Sequence, residues 1–159
     1  MAGPKVFHIG IVVNDIDRAI EDFGELLGYT FEAPIERRVT GVEVHGEPAE
    51  YDLRFVYSNE GPPYLELIEA DDRDIGGMYN SRGEGLHHIG VWQEDVPGRV
   101  ERLVDQGHDL EFAARRGPDD DVMVCYFGTE HPTVHGTRIE YLHPGPVIRG
   151  FDAEGRPIG

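Results

Sequence analysis

Two histidines and two glutamates in this chain stand in matched surroundings. His8 lies in Phe7-His8-Ile9-Gly10 and His88 in His87-His88-Ile89-Gly90, while Glu66 stands between Leu65 and Leu67 and Glu140 between Ile139 and Tyr141. Imidazole nitrogens and carboxylate oxygens are suitable ligands for a divalent cation. Two of each leave a roughly neutral centre with coordination positions free for a substrate. Taken singly, none of the four is informative, because a lone strand histidine is more often a satisfied, partly buried side chain. A lone glutamate between apolar neighbours is most simply the exposed residue of an amphipathic strand. As two matched pairs they favour a metal site.

The elements that must position them also come in pairs. Val6 to Val13 is a short apolar run rich in β-branched residues, and Asn14-Asp15 follows it as a helix-start signal. Ile16, Ala19, Ile20, Phe23, Leu26 and Leu27 then recur at three- and four-residue steps, with Gly28 as the stop, which predicts a helix over Ile16–Leu27. Strand-like composition follows at residues 29–32, 39–44, 51–57 and 64–68, broken by Gly46-Glu47-Pro48 and Gly61-Pro62-Pro63. Asp71 to Gly85 has no apolar period and reads as a connecting loop.

The opening pattern then returns. His88, Ile89, Gly90, Asp95 and Glu101 repeat His8, Ile9, Gly10, Asp15 and Glu21, each 80 positions later. A helix is predicted from Val96 to Gln106, and strand-like runs at residues 108–113, 122–127 and 138–142 complete a second β-α-β-β-β unit. The expectation is one α+β domain over residues 1–159, with module one at about 5–70, module two at about 84–143 and an extended tail at 144–159 rich in proline and glycine.

Equivalent strands in duplicated units place His8 and His88 at matching positions. Strand alternation turns Glu66 and Glu140 away from their apolar neighbours, toward whatever the opposite face encloses. His87 competes with His88, but the repeat selects His88 and leaves His87 for packing or a hydrogen bond behind the ligand. His45, His108, His131, His135 and His143 lie beside glycine, proline or charged residues and read as loop or surface histidines.

Fourteen basic residues against 31 acidic ones give a formal charge of −17, a field that repels nucleic-acid phosphates and anionic membranes. No segment approaches the roughly 20 apolar residues of a membrane span, and Met1 to Phe7 lacks a leader-like apolar run. The single cysteine, Cys125, cannot form an internal disulfide. A cytoplasmic protein with neither nucleic-acid nor membrane partners is expected.

These residues, Phe-His-Ile-Gly, Leu-Glu-Leu, His-His-Ile-Gly and Ile-Glu-Tyr in order, resemble the vicinal oxygen chelate superfamily over about residues 5 to 143. The resemblance implies paired βαβββ modules forming an open, cup-shaped sheet. It also implies one divalent metal per site (zinc, cobalt, nickel, manganese or iron), held by His8, Glu66, His88 and Glu140, a small-molecule substrate and a homodimer.

Within that superfamily, Gly83-Glu84-Gly85-Leu86-His87-His88-Ile89 is similar to the corresponding segment of methylmalonyl-CoA epimerases. Phe127 through His131-Pro132, then Gly136 before Arg138-Ile139-Glu140, is similar to their closing hairpin. By that resemblance Glu140 doubles as ligand and acid/base group, with Glu43 as the second such group and Glu47 and Glu50 as rivals. Two departures stand out. Glu66 replaces the glutamine common in the epimerases, and Arg115-Arg116-Gly117-Pro118-Asp119-Asp120-Asp121 replaces a hairpin with glycines and a basic residue.

The set of two histidines and two glutamates also resembles glyoxalase I, the lactoylglutathione lyase. Ring-cleaving dioxygenases and metal-free bleomycin-resistance binders share the fold. The leading expectation is a metal-dependent epimerase or isomerase that takes a proton next to a carbonyl. A lyase and a non-catalytic binder are the alternatives.

Overall fold

A computed structural model describes residues 5–71, 78–80, 82–116, 121–128 and 135–144. The first unit runs β1 (Val6–Val12), α1 (Ile16–Leu27), β2 (Ile35–Val44), β3 (Glu47–Tyr57) and β4 (Tyr64–Asp71). The second repeats it as β5 (Gly85–Trp92), α2 (Val96–Asp105), β6 (Leu110–Arg116), β7 (Asp121–Phe127) and β8 (Arg138–Leu142). The duplication of Asp15 as Asp95 has a local cause, since each is the N-cap of its helix. Asp15 Oδ1 accepts from the Arg18 N–H at 3.0 Å and Asp95 Oδ1 from the Gly98 N–H at 2.9 Å. Gly28 ends α1 in the left-handed conformation, φ 77°.

The strands follow one another around a closed barrel in the order β1-β4-β3-β2-β6-β7-β8-β5. In each unit the last strand lies parallel to the first, and β1 and β5 join the units antiparallel. On the far side β2 meets β6 through Val42–Val44 against Ala114–Phe112, which closes the rim of the cup and removes two sheet edges. Alternation then sorts each strand. On β4, Leu67 faces α1 in a cluster with Ile16 and Ala19, whereas Ile68 faces the barrel interior with Val12 and Tyr51. On β7, Cys125 packs toward α2 with Val96, and Tyr126 points inward.

Three local expectations change. Residues 29–32 contribute a single bridge, Phe31 to Ser58, and the strand proper starts at Ile35. Gly46-Glu47-Pro48 breaks the chain only at His45 and Gly46 (φ 49° and 78°), because Pro48 already pairs with Glu43 beyond the point where β4 reaches β3. In the inter-module segment, Met78 and Tyr79 are buried in the barrel rather than looped out. Residues 72–77, residue 81 and the tail from 145 lie outside the described residues.

Candidate metal centre

His8 and His88 face each other across the antiparallel β1–β5 pair, with His8 opposite Gly90 and Gly10 opposite His88. Directly opposed residues project to the same side of a sheet, so a ring on one strand needs room above its partner. A β-carbon on Gly10 would run into the His88 imidazole, and one on Gly90 into the His8 imidazole. The repeated glycine is therefore required by the histidine of the other unit. The parallel neighbours complete the row, since Gly10 lies beside Glu66 and Gly90 beside Glu140.

The four side chains converge. The two Nε2 atoms are 2.7 Å apart, Glu66 Oε2 lies 3.2 Å from each, and Glu140 Oε2 lies 2.9 Å from His8 Nε2 and 3.4 Å from His88 Nε2. All four residues are buried. One atom each from His8, His88 and Glu140 fits within a 4.8 Å cluster able to hold an ion.

His87 sets the tautomer of its neighbour. Its Nε2 is 3.1 Å from the Met78 carbonyl, which can only accept, so Nε2 carries the proton. Burial, then His88 and Arg138, push the His87 pKa down to about 3, so the ring is neutral and its Nδ1 accepts. The partner is His88 Nδ1 at 2.9 Å, which must donate. A neutral His88 consequently presents the lone pair of Nε2 to the cluster.

The electrostatics are those of a cation site. Burial alone would lower the His8 pKa, but Glu66 and Glu140 overcome it and hold it up at about 9; His88 is raised for the same reason. Burial works to raise both carboxyls, and the two histidines outweigh it, so Glu66 and Glu140 remain ionised well below the usual range. Glu140 Oε2 is buried and faces His8 Nε2 at 2.9 Å. Two imidazole nitrogens and two carboxylate oxygens gathered this closely fit a divalent ion, which would take the place of the histidine proton.

Above the cluster opens a cavity of ≈ 420 Å³ that Glu66 and Glu140 border from below. Tyr51, Tyr57, Tyr79 and Tyr126 form part of its wall, with the Tyr51 and Tyr79 hydroxyls 3.0 Å apart. Burial pushes all four phenols upward, so they remain protonated hydrogen-bond donors. The sequence did not single out these tyrosines, which come from two strands, β3 and β7, and the inter-module segment and share no local pattern.

Glu43 is not brought to this group. It pairs with Ala113, whose methyl packs in the α2 cluster, so both face outward, and Glu43 Oε1 accepts from Arg115 Nε at 3.3 Å. Its rivals fare no better: Glu47 and Glu50 are exposed, with Glu50 on Arg38. The register explains the reversal. Val39 pairs with Tyr51, yet Val42 pairs with Ala49, so β2 carries one extra residue around Gly41, at φ 68°. That bulge inverts inside and outside for everything after it. A glycine inside a strand is the signal that could have revealed it.

His45 and His135 are exposed, His108 and His143 half-buried, and His131 lies outside the described residues. Arg138, two residues before Glu140, forms a buried two-pronged ion pair with Glu111 at 2.6 and 2.9 Å.

Comparison with known proteins agrees with this fold. The model for the glyoxalase/bleomycin resistance protein/dioxygenase superfamily matches residues 7–126. A methylmalonyl-CoA epimerase variant from Streptomyces coelicolor, solved with 2-nitronate-propionyl-CoA, is 24% identical. It covers 89% of this chain and 98% of its own, with a TM-score of 0.58. The Mycobacterium tuberculosis epimerase is 25% identical over 92% of this chain and 93% of its own, TM-score 0.59. A hypothetical protein from Bacillus halodurans reaches TM-score 0.62 at 21% identity, covering 93% of this chain and 99% of its own. No curated protein matches significantly.

Proposed function

We propose, on the premise that this chain belongs to the glyoxalase/bleomycin resistance protein/dioxygenase superfamily, that it is a divalent-metal-dependent epimerase or isomerase. It removes and returns a proton next to a carbonyl, on an acyl thioester of the methylmalonyl-CoA type. The observation that carries this reading is the convergence of His8, Glu66, His88 and Glu140 beneath the cavity. All four come from the same chain. The acyl thioester rests on fold similarity to an epimerase solved with methylmalonyl-CoA, 24% identical with TM-score 0.59.

A divalent ion held by these four side chains would supply Lewis-acid stabilisation of negative charge developing on a substrate oxygen. The chain does the rest. His88 is held in orientation by His87 and the Met78 carbonyl. Glu140, a buried carboxylate that borders the cavity, takes the proton, a step worth about 10²–10⁴-fold. Glu66 is the other buried carboxylate on the cavity and returns it. The tyrosine wall excludes water and offers hydroxyl donors to substrate oxygens.

The second reading is a glyoxalase-type lyase, favoured by one observation: both buried acids on the cavity are glutamates at module-equivalent positions. Solvent deuterium incorporation at carbon 2 of methylmalonyl-CoA, measured beside lactoylglutathione formation from the glutathione hemithioacetal, decides between them. Absence of exchange by metal-replete protein would remove the epimerase reading for that substrate.

A further inference from the structure

The residues of β2 that face outward are neutralised in pairs. Glu36 binds Arg54 at 3.4 Å, and Arg38 binds Asp52 at 3.1 Å and Glu50 at 3.3 Å. Arg37, between them, faces the other way. It pairs with Leu53, which packs against the interior cluster, and it borders the cavity above the candidate metal centre. Arg37 makes no ion pair with any described residue, in a chain of formal charge −17. With acid so abundant, an exposed guanidinium at the cavity rim that pairs with no described carboxylate suits an anion from outside. Its fork geometry suits a carboxylate or phosphate.

We propose that Arg37 anchors the anionic end of the substrate at the mouth of the cavity. The substrate then carries a carboxylate or phosphate remote from the oxygens that reach the centre of His8, Glu66, His88 and Glu140. The inference rests on the metal-centre reading for the other end of the molecule. Leu53 lies four residues before Tyr57, the partner of Glu66. At the usual strand rise the two ends of the ligand are on the order of 10 Å apart. A cavity of ≈ 420 Å³ accommodates such a molecule, with Val39, Leu53 and Phe55 beside its apolar middle.

The test is calorimetric titration of cobalt-loaded protein with 2-oxoheptanoate and 2-oxopimelate, equal in carbon number and in their chelating oxygens. Only the second has a remote carboxylate. It should bind about tenfold tighter, the worth of one charge-assisted hydrogen bond. Arg37→Gln should abolish that preference without weakening 2-oxoheptanoate, and Arg37→Lys should restore part of it. If the anion is instead a coenzyme phosphate, the Arg37-dependent preference appears for methylmalonyl-CoA over methylmalonyl-pantetheine. Both results support the site.

Equal binding within each pair, or a preference that survives in Arg37→Gln, overturns it while leaving the metal centre standing. Failure of 2-oxoheptanoate to bind at all removes the oxygen-chelate reading and the Arg37 anchor together.

Discussion

Gly90 stands directly opposite His8 on the neighbouring strand, and the imidazole occupies the space that any larger side chain at Gly90 would need. Gly10 does the same for His88. Gly90→Ala should displace His8, costing about 1–3 kcal/mol of stability as an overpacked site and lowering metal content. Gly24→Ala is the control, because a β-carbon there makes only ordinary contact with the Tyr29 carbonyl inside a helix. It should hold metal normally and melt slightly higher. A Gly90→Ala protein with unchanged metal content and melting temperature would contradict this account.

Metal analysis tests the cluster itself. The purified protein should carry near-stoichiometric divalent metal, and His8→Ala and Glu140→Ala should lose it. A chelator should lower the melting temperature of the wild type and leave that of the variants unmoved, since only a site that binds in the folded state couples to stability. Retention of metal by both variants would place the ion elsewhere.

The Met78–His87–His88 relay predicts an effect without ligand loss. His87→Phe keeps an aromatic ring beside Tyr79 but removes the acceptor that holds His88 Nδ1–H in place. Metal affinity should fall about 10–100-fold, read by competition with a chromogenic chelator, while the circular dichroism spectrum stays native.

Proton linkage gives a signed prediction for the metal-free protein. The folded pKa of His8 is raised from 6.5 to about 9. Its stabilising contribution is therefore complete below the unfolded value and is lost as pH rises from about 6.5 through about 9. Glu66 and Glu140 are depressed, so theirs is present above the unfolded carboxyl value and lost as pH falls through the folded ones. Melting temperature should decline between about pH 6.5 and 9 in the metal-free wild type. That decline should be smaller in His8→Gln, which leaves only the raised His88, and metal loading should reverse it, because the metal displaces the histidine proton.

Glu43→Gln should leave turnover nearly unchanged, since the carboxylate faces outward onto Arg115. Glu140→Gln should lower it by about 10²-fold or more. A large loss in Glu43→Gln, with native melting and metal content, would put Glu43 back in the chemistry.

The sequence alone determined what short-range physics controls. Apolar spacing delimited α1 and α2, Asp15 and Asp95 announced their caps, and the 80-residue repeat paired His8 with His88 before any strand was placed. Alternation was enough to turn Glu66 and Glu140 against their apolar neighbours, because β4 and β8 cross the site without a register shift against their parallel partners. Only the tertiary structure decided the rest. The closing of β2 onto β6, the Met78 carbonyl behind His87 and the four-tyrosine wall all join residues distant in the chain. The fate of Glu43 and Arg37 turned on one extra residue at Gly41. A strand has a side-chain period of two, so a single bulge exchanges its faces. Arg37, before the bulge, faces the cavity, and Glu43, after it, faces out.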